Sequence, residues 1–142
     1  MTLIEVVVAL TLFAIIAIAF AGGLGTASKA VLTADIRTNA ESLARTQMED
    51  VKKQLYNYAP TGGVANYTKI ADIREGYAIC SGNVTTGKPF NCGNGDLIIA
   101  IPWNSGNNTA ADTDTGLQKI TLVITHEGND IITLEGYKVD RG

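Results

Sequence analysis

The run Val6-Val7-Val8-Ala9-Leu10-Thr11-Leu12-Phe13-Ala14-Ile15-Ile16-Ala17-Ile18-Ala19-Phe20-Ala21 is apolar apart from a single Thr, and no charged residue stands between Glu5 and Lys29. As a helix, residues 1–24 span roughly 36 Å, enough for a bilayer core of about 30 Å. The segment is apolar on every side, so each face needs lipid or protein against it. A cleavable signal peptide is a poor match, because Met1-Thr2-Leu3-Ile4 supplies no basic flank. A plain anchor would not place a carboxylate at residue 5, since an unpaired acid in a membrane segment is costly and usually functional.

Working outward, the chain has 142 residues, 46% hydrophobic and 18% charged, with a net charge of −3 and a pI near 5.0. That is one domain's worth of chain. The acidic balance argues against direct nucleic-acid binding, which needs clustered Lys and Arg. With no basic residue upstream of the apolar run, membrane orientation has no internal signal. Either a short basic leader preceded Met1 and was removed, or Met1 is the initiator.

Thr2-Leu3-Ile4-Glu5-Val6-Val7-Val8-Ala9-Leu10 resembles the N-terminus of mature type IV pilins and type II secretion pseudopilins. The match covers about 25 residues closely, and the layout of a long helix before a small sheet domain more loosely. Two features depart from the family. Met1 stands where Phe is usual, which bears on N-methylation of residue 1, and Gly22-Gly23-Leu24-Gly25 replaces the common Pro near residue 22. The resemblance implies assembly through Met1 and Glu5, the carboxylate of one subunit neutralising the free amine of its neighbour. A carboxylate buried among apolar helices costs several kcal/mol unless so compensated, and the pairing would set the stacking register.

The resemblance further implies a helical homopolymer of identical subunits, a prepilin peptidase, an assembly ATPase and an inner-membrane platform. The subunit would wait in the inner membrane and then join an extracellular filament on the cell surface. A major pilin is the leading reading. Its alternatives are a minor pilin or pseudopilin that primes or tips a pseudopilus, and a membrane-anchored extracellular binding domain.

Beyond the glycines, Ile36, Ala40, Leu43, Gln47/Met48, Val51, Leu55 and Tyr58 recur at steps of three and four, predicting an amphipathic helix to about residue 58, a continuous element of roughly 87 Å. Glu41–Arg45 and Glu49–Lys53 have acid-first i,i+4 spacing. Ala59-Pro60-Thr61-Gly62-Gly63 supplies the stop. Gly22, Gly23 and Gly25 form the weakest stretch of the helix, each costing about 1 kcal/mol relative to Ala. They suit local melting in an assembled filament, or close packing of helices.

The predicted fold is α+β and type IV pilin-like: a hydrophobic half-helix protruding over residues 1–28, an amphipathic half over 29–59 packed on the head, and a β-rich head over 60–142. The head is expected to hold three or four antiparallel strands, from Tyr77–Cys80, Leu97–Trp103, Leu117–His126 and Asp130–Val139, with a tight hairpin at Glu127-Gly128-Asn129. The half-buried strand is read from Ile120, Leu122 and Ile124 alternating with Thr121, Val123 and Thr125. Residues 60–76 read as a loop anchored by Tyr67, Ile70 and Ile73, with room for a short helix.

Cys80 and Cys92 are expected to pair in an extracellular domain, closing a Gly/Asn/Thr-rich loop for about 3 kcal/mol. Sequons at Asn66, Asn83 and Asn107 are candidate glycosylation sites in predicted loops. Asp112 and Asp114 are a weak calcium candidate, lacking the further ligands of a full loop. No other metal, cofactor or catalytic constellation is expected: His126 is the only His, and it is read as part of the hairpin edge.

Overall fold

The computed structural model describes residues 2–71, 73–83, 87–93 and 96–142. One helix, α1 (Leu3–Lys53), precedes strands β1 (Ala65–Tyr67), β2 (Tyr77–Gly82), β3 (Pro89–Phe90), β4 (Ile98–Asn104), β5 (Thr109–Ala110), β6 (Leu117–His126) and β7 (Asn129–Val139). This is an α+β layout, a long apolar N-terminal helix followed by a curled antiparallel sheet. The chain divides into two compact units, Met1–Asp35 and Ile36–Gly142.

In the first unit every described residue is exposed, and all from Leu3 onward are helical. Gly22, Gly23 and Gly25 keep helical geometry, and a methyl group added at any of them would meet nothing within 4 Å. Within the chain, then, no neighbour requires glycine there. Side-chain hydroxyls bond back to carbonyls at this place, as they do at Thr11, Thr33 and Thr46 elsewhere in the helix. Thr26 Oγ1 donates to Gly22 O (2.9 Å) and Ser28 Oγ to Leu24 O (3.0 Å).

In the second unit α1 buries Ala40, Ala44, Gln47, Met48 and Val51, one stripe of the 3.6 period. The stripe and the inward rows of the sheet, Ile98 and Ala100 of β4 and Ile120, Leu122 and Ile124 of β6, belong to a single apolar core. The buried Gln47 is satisfied on both sides: Nε2 donates to Thr68 O (3.1 Å) and Oε1 accepts from Ile70 N (2.9 Å). Tyr67, Ile70 and Ile73 anchor the connection after the helix, as expected.

Strand β6 organises the sheet. One edge pairs with β7 along its whole length; the other is taken first by β4, from Pro102↔Gln118 to Ala100↔Ile120, and then by β2, from Ser81↔Leu122 to Tyr77↔His126. Where β4 and β2 part, a side chain replaces a strand partner: Ser81 Oγ accepts from Ile99 N (3.0 Å) and donates to Leu97 O (3.3 Å). The β6–β7 hairpin turns on Glu127 and Gly128, both at positive φ (50° and 80°), the two-residue turn that matches strand twist.

Several expectations need correction. The sheet has seven strands among the described residues rather than three or four, because β1, β3 and β5 are two- or three-residue pairings that leave little periodic signal. Residues 60–76 hold β1 and no helix among the described residues. The helix stops at Lys53, not near residue 58, so Leu55 is 91% exposed instead of joining the stripe. Its end is set by tertiary contacts: Lys138 Nζ, from β7, donates to the carbonyls of Val51, Lys52 and Gln54. Glu41 pairs back to Arg37 (3.6 Å) rather than forward to Arg45.

The outward row of β6, read as the wet side of a half-buried strand, is buried too: Thr121 and Val123 expose 1% and 0%. Gly82 lies against them, and a Cβ there would fall 2.4 Å from Thr121 Cγ2 and 3.1 Å from Val123 Cγ2. Both neighbours are β-branched and stiff at χ1, so they cannot yield cheaply. At Gly136 a Cβ would meet the flexible end of Met48 instead, 2.6 Å from its sulfur. Gly82→Ala should therefore destabilise the head by about 2 kcal/mol and Gly136→Ala by less, read as urea midpoints. The reverse order would show that the Gly82 corner relaxes more easily than the helix contact.

Candidate functional site

Apart from Glu5, the 26-residue stretch from Leu3 to Ser28 exposes no charge and a continuous apolar surface. Leu3 is 86% exposed, Phe13 71% and Ile18 74%. A patch of this extent far exceeds what a soluble surface carries. The helix is long and apolar enough to cross a bilayer.

Glu5 sits in the first turn. Thr2 O accepts from Glu5 N (3.1 Å) and Val6 N (3.4 Å), which makes Thr2 the residue that opens the helix. Glu5 Oε2 reaches back to accept from Thr2 N at 3.4 Å. That contact is the carboxylate half of a capping box, S/T-x-x-E, which Thr2-Leu3-Ile4-Glu5 satisfies. The negative charge also lies at the positive end of the helix dipole. The same four residues that carry the family resemblance thus also have a local capping role, which their spacing alone encodes. Met1, the expected partner of Glu5 in assembly, lies outside the described residues.

The other candidates are scattered over the second unit. Cys80 and Cys92 form the expected disulfide. Asn107 is exposed in a turn, while Asn66 lies in strand β1 and not in a loop; Asn83 is exposed, and Thr85 of its sequon lies outside the described residues. His126 is half-buried, its ring 4.5 Å from that of Tyr77.

Asp114, half of the weak calcium candidate with Asp112, has both carboxylate oxygens engaged within the chain. Its Oδ1 accepts from Tyr56 OH (2.6 Å) and Gly116 N (3.0 Å), and its Oδ2 from Ala59 N (3.0 Å) and Gln118 Nε2 (2.5 Å). Four donors occupy the oxygens that a cation would need. Asp112 is exposed, and its backbone carbonyl accepts from Gly62 N (2.8 Å). Among the described residues no cluster of three or more His, Cys, Asp or Glu could hold a metal ion.

Asp114 instead anchors the segment that follows the helix. Gln118 Nε2 also donates to Asn57 O (2.7 Å), and its Oε1 accepts from Tyr67 OH (2.7 Å), which itself accepts from Asn57 N (3.2 Å). Tyr58 OH donates to Asp140. Burial pushes the Asp114 carboxyl upward, but the bonds from Tyr56, Ala59, Gln118 and Gly116 outweigh it and hold the group below the usual carboxylate range. Burial raises Tyr56 well above an ordinary tyrosine, helped by the bond to Asp114 and by its charge. Burial, and then the charge of Arg141, holds the Lys138 ammonium below the usual lysine value.

No protein-family model, curated protein or solved structure matches this chain.

Proposed function

We propose that this chain is a structural subunit, a major pilin, of an extracellular type IV pilus-like filament, and that it catalyses no reaction. The observation that carries the reading is Thr2-Leu3-Ile4-Glu5 opening a helix whose apolar side chains are exposed on all faces. Such a helix can lie in the inner membrane before assembly and later pack against the same helix of identical subunits. Moving from lipid to helix contacts changes little apolar exposure, so the transfer needs an external energy source. A cytoplasmic assembly ATPase and an inner-membrane platform fill that role by resemblance, with a prepilin peptidase acting before them.

Glu5 gives the assembly its register. In a neighbouring subunit's apolar surroundings the carboxylate is stable only where it meets a cation, and the free amine of residue 1 is the available one. The disulfide closes a 12-residue separation and stabilises the head against a secreted environment, by about 3 kcal/mol in the chain-entropy model. The test is electron microscopy of filaments sheared from expressing cells, with mass spectrometry of the purified material. A thin filament dominated by this chain, beginning with a free or methylated amine at residue 1, is expected. Recovery of the chain only as a membrane-bound monomer would refute the reading.

A further inference from the structure

The two sulfurs of the disulfide are unlike. Cys80 lies inside β2 at 0% exposure, between the buried Ile79 and Ser81 and opposite Val123, whereas Cys92 follows β3 and is exposed. The backbone around Cys92 is held from outside the loop. Lys69 Nζ donates to the carbonyls on either side of it, Asn91 O (2.7 Å) and Gly93 O (3.3 Å), and Asp96 Oδ2 accepts from Gly93 N (2.6 Å). Cys92 also lines an open cleft of about 540 Å³, together with Lys69, Ile79, Asp96 and Leu97.

We propose that Cys92 is the sulfur through which this pair exchanges with an external disulfide, that of an oxidised dithiol protein, and that Cys80 is the resolving thiol. Thiol–disulfide exchange needs a thiolate with a clear approach along the bond it breaks. Cys92 is exposed and lines the open cleft, whereas Cys80 is fully buried. In the reduced protein the Cys92 thiolate attacks one sulfur of the partner's disulfide. That S–S bond breaks, the partner's other sulfur leaves as a thiolate, and a mixed disulfide forms on Cys92. The Cys80 thiol then attacks Cys92 Sγ, its proton passing to the thiolate already released on the partner, which forms Cys80–Cys92 and expels the partner's remaining thiolate. Two electrons and two protons pass from the cysteine pair, and the partner departs as a dithiol.

Two further features favour this order. The pairings Ser81↔Phe90 and Gly82↔Pro89 hold the two ends of the loop together without the covalent bond, so the resolving thiol stays close. The Lys69 ammonium beside Cys92 favours its thiolate, while Asp96 on the same side opposes it; burial lowers the Lys69 pKa and Asp96 draws it back up. These charges act in opposite senses on the thiolate, and the contrast in burial between the two cysteines carries the assignment.

The test uses the folded full chain in detergent, as Cys80→Ala and as Cys92→Ala, exposed separately to oxidised glutathione and to an oxidised dithiol oxidoreductase. Intact mass follows adduct formation. Cys80→Ala should acquire its adduct on Cys92 at least about tenfold faster than Cys92→Ala acquires one on Cys80, and urea should abolish the difference. Equal rates in the folded state, or faster reaction at Cys80 with either reagent, would overturn the assignment. A second measurement needs no cysteine variant. The native disulfide, opened with limiting reduced glutathione and quenched in acid, should carry glutathione on Cys92, and glutathione on Cys80 would contradict the proposal.

Discussion

Glu5→Val should yield a protein that enters the membrane normally and forms no filaments. Two roles compete for this carboxylate, and their sizes separate them. In the single chain its visible partner is Thr2 N at 3.4 Å, a long contact within a capping box. Losing a cap costs about 1 kcal/mol, and in a membrane helix the gain from replacing a carboxylate with Val offsets it. In an assembled helix bundle the same carboxylate would neutralise a neighbour's amine. Its removal leaves that amine buried and uncompensated, a penalty of about 3–5 kcal/mol repeated at every subunit. Glu5→Gln divides the roles again, because Gln also serves in a capping box but carries no charge. If capping is the only role, Gln supports normal filaments. If charge pairing is the role, Gln fails like Val. Membrane fractionation beside microscopy of the sheared fraction reads both outcomes, and filaments of normal yield from Glu5→Val would defeat the assembly mechanism.

The parts of this molecule that could be read in advance are those whose signal is local and repeated. An uncharged run from Val6 to Ser28 reads as a helix, exposed in the single chain, whose faces need lipid or protein against them, and Ala40, Val51 and their neighbours follow the helical period into the core. Strands β2 and β4 carry short apolar runs, β6 alternates Ile and Leu with Thr and Val over residues 120–125, and Glu127-Gly128 marks its own turn before β7. What escaped is decided by distant residues. Lys53 ends the helix because Lys138, far along the chain, supplies the donors for its last carbonyls. Nothing near residue 53 announces that lysine. Asp114 reads as half of a cation loop because its sequence neighbours are acidic and small, yet its partners Tyr56 and Ala59 lie 58 and 55 residues earlier in the chain. The cysteine pairing could be read from spacing, whereas the contrast in burial between the two sulfurs exists only once the sheet has formed.

Asp114→Asn should lower the stability of the head by about 2–4 kcal/mol at neutral pH and flatten its dependence on acid. The carboxylate accepts four hydrogen bonds, two on each oxygen, and bonds to a charged acceptor contribute about 1.5–3 kcal/mol apiece without adding fully. Asn keeps one acceptor oxygen and turns an NH2 group toward two donors, so at least two bonds are lost. The folded carboxyl titrates below its unfolded value. Its stabilisation is therefore complete above the ordinary aspartate value of about 3.9 and disappears as pH falls through the folded one. Asp140 shifts the same way through its bond from Tyr58, but it lies near the surface, where solvent screens it, and adds little to this arm. Tyr56 shifts oppositely: its contribution is complete below the ordinary tyrosine value of about 10 and is lost as pH rises beyond it. Lys138 runs against the tyrosine, since a depressed lysine disfavours the fold while charged and ceases to do so on losing its proton. Urea unfolding followed by the fluorescence of Trp103, the single tryptophan and 7% exposed, reads the head alone. In the parent chain the midpoint should hold steady from about pH 5 to 9 and fall on either side. In Asp114→Asn the acid fall should shrink because its main titrating group is gone. The alkaline fall should shrink as well, because Tyr56 has lost both the bond and the charge that, after burial, raise it. An unchanged acid arm in the variant would mean that Asp114 does not fasten the segment after the helix while ionised, and that other carboxylates set the acid limit of the head.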